Sequence, residues 1–276
     1  MDMDGVVFDL YGTLLEIASV GRAAGEVTED PSALVDLWRQ KQLEYSWLRS
    51  LMGRHQDFWA VTGDALDHAL DRLGIDVPAD RRTRLLDAWL DVRPYPEVPA
   101  ALSALAPRRL AVLSNGSPVM LAAGLKAAGL AELIDPVISV EEVGVYKPHP
   151  SVYALAEKHL GLPVNRMLFV SSNPWDAAGA KSFGLPVAWV NRAGATPERL
   201  AASPEVVCTW ASHRPLKKAV LSSFWFSITS MLKVMLLALA TSAATFSEVE
   251  PGSTHTVAPF ISLTLATLSF LLTMKP

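Results

Sequence analysis

Residues 5–10, GVVFDL, form a short β-branched and aromatic run that ends in the carboxylate of Asp9, and Tyr11-Gly12-Thr13 turns directly after it. Such a run reads as a buried strand that delivers Asp9 at its C-terminal end. Gly12 lets the backbone pass closely around the carboxylate, and Thr13 brings a hydroxyl able to orient it. Similar runs recur at residues 109–113, 136–139, 167–170 and 186–190, with helical patterns at 118–128, 151–160 and 177–183 between them. This alternation predicts an α/β fold, a Rossmann-like parallel sheet with helices on both faces. Ligands of such sheets bind beyond the carboxyl ends of the strands. The polar residues just past these runs are therefore expected to meet in one crevice.

Residues 16–93 break the alternation. Helical patterns at 33–51, 57–73 and 79–90 follow one another with no strand between them. Asp30-Pro31-Ser32 suits a helix start, and Gly53 and Gly74-Ile75-Asp76 suit helix stops. The expected organisation is a catalytic core of residues 1–15 and 94–220 carrying an inserted helical cap, 16–93. The return at residues 93–99, RPYPEVP, reads as a stiff second hinge.

At 276 residues the chain has room for one α/β domain, an insert and a sizeable core. A net charge of −4 provides no field to gather nucleic acid, so small-molecule chemistry is the expected class. The single Cys208 excludes an intrachain disulfide, suggests a reducing compartment, and reads as a small hydrophobe rather than a nucleophile. Met1-Asp2-Met3-Asp4 lacks the basic flank and apolar run of a secretion signal, so a cytoplasmic protein is expected. None of the six histidines shows metal-ligand spacing, and His149 reads as a surface group. The tryptophans read mainly as core and cap packing.

Residues 221–276 form a hydrophobic C-terminal extension whose only charged side chains are Lys233, Glu248, Glu250 and Lys275. Its two apolar stretches approach the roughly 20 residues that span a bilayer. Three readings stay open: a membrane hairpin making membrane contact, an adventitious extension, and an extra packed subdomain.

Asp9-Leu10-Tyr11-Gly12-Thr13 resembles the first motif of the haloacid dehalogenase superfamily. Leu113-Ser114-Asn115-Gly116, Tyr146-Lys147-Pro148 and Val170-Ser171-Ser172-Asn173-Pro174-Trp175-Asp176 follow in that family's order. The resemblance covers roughly Val6 to Val220. Its phosphatases carry a second Asp two positions after the nucleophile, where this chain has Tyr11. They also carry an acidic metal-binding position in the last motif, where it has Ser172. Phosphoryl transfer needs a cation on the transferred group, whereas halide leaves carbon as a stable anion. These departures favour a dehalogenase with no metal and no cofactor.

Trp38-Arg39-Gln40-Lys41-Gln42-Leu43-Glu44-Tyr45 in the cap resembles the L-2-haloacid dehalogenase branch. That resemblance implies a small halogenated carboxylic acid as substrate, a halide product and a homodimer. Asp9 would attack Cα to form an ester, which water then hydrolyses to a 2-hydroxy acid. It implies that Ser114 and Lys147 hold the substrate carboxylate, while Arg39 and Asn115 receive the halide beside Phe58. Asp176 becomes the base or orienter, and Thr13, Ser171 and Asn173 position Asp9 and the water. Tyr11, Gln40, Leu43 and Trp175 would shape the alkyl pocket, and Tyr153 falls where the family has an active-site tyrosine. Two other readings are carried forward: a Mg-dependent phosphatase or phosphonate-cleaving relative, and an inactive or repurposed binding homologue.

Overall fold

The computed structural model describes residues 3–200 and 202–209. The extension at 221–276, with the membrane contact expected of it, and the expected core end at Val220 lie outside the described residues. Among the described residues, no helix is long and apolar enough to cross a membrane.

The chain begins with β1 (Gly5–Phe8) and the two-residue β2 (Leu15–Glu16). Helices α1 (Ala18–Ala24), α2 (Pro31–Leu51), α3 (Phe58–Leu73) and α4 (Ala79–Asp87) follow, and β3 (Arg93–Pro94) closes the insert. Next come α5 (Val98–Leu105), β4 (Arg109–Ser114), α6 (Pro118–Ala127), β5 (Val137–Ser139) and α7 (Pro150–Leu160). The described part ends with β6 (Met167–Ser171), α8 (Pro174–Phe183), β7 (Val187–Asn191) and β8 (Val206–Thr209).

The main sheet has the order β5-β4-β1-β6-β7-β8, with every pair parallel. β1 lies in the interior, buried along its length, with Phe8 opposite Val112 on one side and Val170 on the other. After β1 the chain builds β4 and β5 on one flank, then crosses to build β6, β7 and β8 on the other. That reversal opens a crevice at the carboxyl ends of β1, β4 and β6. β1 stops at Phe8 rather than Leu10, because the Leu10 carbonyl accepts from the N–H groups of Thr13, Leu14 and Leu15 and turns the chain. Gly12, at φ +83°, takes the left-handed conformation this turn needs.

In the cap, α2 buries Leu34, Trp38, Gln42 and Ser46, a four-residue repeat that marks one helix face. This face meets α3, with the Trp38 indole donating to the Thr62 carbonyl at 2.8 Å. The expected boundaries of the cap meet in a small antiparallel ribbon, Leu15 opposite Pro94 and Glu16 opposite Arg93. Beside it, Arg192 donates to the Thr13 carbonyl at 2.8 Å, pairs with Glu97 at 2.6 Å, and lies 3.6 Å over the Tyr95 ring. The core also reaches up to the cap. Glu141 accepts from the Phe58 N–H at 3.1 Å and contacts the His55 ring at 2.9 Å, while the Tyr146 N–H donates to Ser50 at 3.0 Å.

Several elements depart from expectation. The Pro-rich return does not stay an extended hinge, since α5 begins at Val98 with Pro99 in its first turn, where a missing N–H costs nothing. The helix expected at 79–90 ends at Asp87, and Trp89 and Leu90 lie in the following turn. Helix α1 and the edge strand β8 were not anticipated.

Asp57 caps α3, accepting from the Trp59 and Ala60 N–H groups at 2.9 and 3.1 Å. Replacing an N-cap Asp by Ala typically costs about 1 kcal/mol. Asp57→Ala is therefore expected to lower the unfolding free energy by about that amount in a urea titration.

Candidate active site

Most catalytic candidates of the core sit at or just past a strand end or in the first turn of the helix that follows. Asp9 follows β1, and its N–H still bonds the Val170 carbonyl at 2.9 Å. Ser114 closes β4, with Asn115 and Gly116 next. Ser171 closes β6, Asn173 caps the following turn, and Asp176 lies in the first turn of α8. Lys147 lies in the loop before α7, where its N–H donates to Asn115 Oδ1 at 3.0 Å.

Three donors define the Asp9 carboxylate. Thr13 Oγ1 and Asn173 Nδ2 donate to Oδ2, each at 2.9 Å, and Lys147 Nζ donates to Oδ1 at 3.2 Å. The Thr13 oxygen in turn accepts from the Ser172 N–H at 2.8 Å, so its one proton is free for Asp9. Ser172 Oγ donates to the Gly12 carbonyl at 2.7 Å, which locks the two loops together.

Lys147 also donates to Asp176 Oδ2 at 2.9 Å, and both of these groups are almost fully buried. Burial alone would push the Lys147 ammonium toward its neutral form, but Asp176 and Asp9 outweigh it and its pKa moves up. Asp176 is raised, chiefly by burial; Lys147 opposes this, and the charge of Asp9 adds to it. Tyr153 donates to Asp176 Oδ1 at 2.8 Å. The contact depends on close packing of α7 against α8: a Cβ added at Gly179 would lie 2.5 Å from the Tyr153 hydroxyl and 2.6 Å from Pro148 Cβ.

These groups open onto a pocket of about 280 Å³, its mouth included. From the core, Asp9, Tyr11, Ser114, Asn115, Gly116, Lys147, Asn173 and Trp175 line it, and from the cap, Arg39, Leu43 and Phe58. Tyr11 directs its hydroxyl to the carbonyls of Met120 and Trp89, at 3.2 and 3.3 Å, and turns its ring edge toward Trp89. Phe58 packs on Tyr146, and Trp175 meets Trp47 of the cap edge to face at 5.3 Å. Burial draws the Arg39 pKa down and Asp9 opposes this; a guanidinium keeps its charge regardless.

The chain matches the family described as haloacid dehalogenase-like hydrolase over residues 3–184. This chain belongs to that family. The hydrolase is 48% identical over 204 residues to "(S)-2-haloacid dehalogenase" of Pseudomonas sp. (strain YL), an alignment covering 73% of this chain and 88% of that one. The solved L-2-haloacid dehalogenase from Xanthobacter autotrophicus matches it with a TM-score of 0.71 and 41% identity, over 75% of this chain and 94% of that one. The structure of that enzyme with chloropropionic acid covalently bound matches at 0.70 and 41%, over 74% and 94%.

Five anticipated residues of this hydrolase do not line the pocket. Thr13, Ser171, Asp176 and Tyr153 stand behind it: Thr13 holds Asp9, Ser171 Oγ accepts from the Asn173 N–H at 3.1 Å, and Tyr153 acts through Asp176. Gln40 is exposed and outside the pocket. Gln40 lies about 100° round the helix from Arg39, on the side of Leu43 away from Gln42. The glutamine bonded to Arg39 is Gln42, which is fully buried and accepts from Arg39 Nη1 at 2.5 Å. Three-residue spacing was the signal for it.

The Tyr153 hydroxyl lowers the proton affinity of Asp176 by donating to its charged form. Tyr153→Phe removes that donor, so the pKa of Asp176 should rise further and the carboxyl should protonate at higher pH. Infrared titration of the protonated-carboxyl band, with Asp176→Asn assigning the signal, checks this.

Proposed function

We propose that this hydrolase converts small (S)-2-haloacids to 2-hydroxy acids, with Asp9 attacking Cα and displacing halide. The observation that carries the reading is a carboxylate fixed by three donors on one side of a small pocket, with Arg39 and Phe58 brought to the other side by the cap. The Pseudomonas and Xanthobacter relatives carry the corresponding names, and the covalently bound chloropropionic acid supports an ester stage.

Asp9 Oδ1 accepts only from Lys147 and is the oxygen with the spare lone pair. It forms the new C–O bond as the C–halogen bond breaks, so the negative charge of Asp9 passes to the halide. The halide leaves toward Arg39 and toward the side-chain amide of Asn115, whose oxygen is already committed to Lys147. The Ser114 hydroxyl and Lys147 at the pocket wall hold the substrate carboxylate and align the bond to be broken. Water then adds at the Asp9 carbonyl carbon, and the hydroxy acid departs with the original Asp9 oxygen. One proton is released overall, and the raised proton affinity of Asp176 suits it to accept that proton from the water.

A divalent ion does not fit this site. Lys147 already supplies the positive charge between Asp9 and Asp176, and Asp176 spends both oxygens on Lys147 and Tyr153. Tyr11 points its hydroxyl at backbone carbonyls, and Ser172 donates to Gly12. Metal-independent turnover is accordingly part of the proposal, and the phosphatase reading lacks both its general acid and its ion ligands. A cytoplasmic homodimer also belongs to the proposal, on the resemblance and the lone cysteine.

Incubation with EDTA is expected to leave halide release unchanged; loss of activity restored by Mg²⁺ would return the phosphatase-type site to first place. The covalent step is tested by a single turnover in ¹⁸O-water with enzyme in excess over (S)-2-chloropropionate. Label is expected in the Asp9 carboxylate, with none in the first-formed hydroxy acid, and the (R)-enantiomer should release no chloride. Label going straight into product means that water attacks Cα and Asp9 is not the nucleophile.

A further inference from the structure

Arg39 forms no salt bridge among the described residues. Its guanidinium is held instead by a neutral side chain, Gln42, one turn further along the same face of α2. Gln42 is fully buried, and its Nε2 donates to Thr62 Oγ1 on α3 at 2.7 Å. Thr62, also fully buried, donates to the Phe58 carbonyl at 2.6 Å. One hydrogen-bonded line therefore joins Arg39 to Phe58, the two cap residues assigned above to the halide.

The line has a direction. A hydroxyl carries one proton, and a carbonyl can only accept, so the Thr62 proton is spent on Phe58. Thr62 can then only accept from Gln42, which must turn its NH₂ toward Thr62. The other end of the amide, Oε1, is left facing Arg39, where it accepts from Nη1 at 2.5 Å. One of the five N–H groups of Arg39 is thereby used to fix the plane of the fork, and the rest stay available to an anion. A carboxylate at position 42 would hold the fork equally well, but it would cancel the charge that the departing halide needs.

We propose that Gln42 is the positioning residue for halide capture, holding Arg39 in place without neutralising it, and that Thr62 sets the sense of its amide. This rests on the dehalogenase reading. It predicts loss in the step where negative charge arrives at Arg39, rather than in capture of the substrate carboxylate.

The test compares Gln42→Glu, Thr62→Val and Thr62→Ser in the full chain. The readouts are kcat and KM with (S)-2-chloropropionate, inhibition by added bromide, and thermal unfolding. Gln42→Glu is expected to lower kcat by about thirtyfold, roughly 2 kcal/mol of transition-state stabilisation. It should weaken bromide inhibition by a similar factor and leave KM within about threefold. Thr62→Val is expected to lose about tenfold in kcat, and Thr62→Ser to recover most of that loss. A folded Gln42→Glu enzyme with wild-type kcat and bromide inhibition overturns the proposal, and so does a loss confined to KM. If Gln42→Glu fails to fold, the Thr62 pair decides: equal impairment of Val and Ser variants overturns it. A wild-type chain that releases no halide sinks the dehalogenase reading instead. Bromide binding by calorimetry then tests the anion site alone, and unchanged binding in Gln42→Glu, or none in the wild type, overturns the inference.

Discussion

Two ionised carboxylates at the buried end of a sheet repel each other unless a positive charge lies between them, and here that charge is Lys147. Its ammonium reaches both Asp9 and Asp176 from a position almost closed to water. Removing one partner from such a buried set typically costs about 3–5 kcal/mol, because the others are left uncompensated. Much of the surrounding structure can be read as service to this contact. Asn115 fixes the Lys147 backbone, Tyr153 holds Asp176 from behind, and α7 and α8 approach to the distance that only a glycine permits at 179. With Arg39 included, two negative and two positive charges meet around the pocket.

The core of this arrangement was legible in the sequence because its determinants are local. Asp9, Gly12 and Thr13 lie within one turn, and a β-branched run followed by that turn places a carboxylate at a strand end. Asn115, Lys147 and Asn173 likewise stand just past recognisable strands or before a helix. The cap was harder. A helix presents a face defined by steps of three and four, so Gln42 and Leu43 each fall one turn from Arg39, while Gln40 is exposed outside the pocket. The family resemblance pointed to Gln40, and helix spacing alone does not choose between the two glutamines. The role of Gln42 also depends on Thr62, twenty residues distant, and no local pattern records that pairing.

The missed elements have a common cause. Helix α1 is only seven residues long, and β8 lies at a sheet edge where a half-buried run gives a weak signal. The Pro-rich return read as a stiff hinge, although a first-turn proline such as Pro99 is well suited to a helix. For the short helix and the edge strand, tertiary packing decides the ordered state more than intrinsic preference does.

The Arg192 side chain ties three things to one point: the carbonyl of Thr13, the Glu97 carboxylate and the ring of Tyr95. Thr13 supports the nucleophile, whereas Tyr95 and Glu97 directly follow the second strand of the cap ribbon. The cap ribbon and the nucleophile loop therefore share a fastening. The guanidinium adds to the ribbon pairing and to the Tyr95 N–H bond to the Leu14 carbonyl at 3.0 Å, so the cap's second strand and the residue that aims Asp9 are joined at three points. In mechanical terms the chain has a tether between its door and its lock.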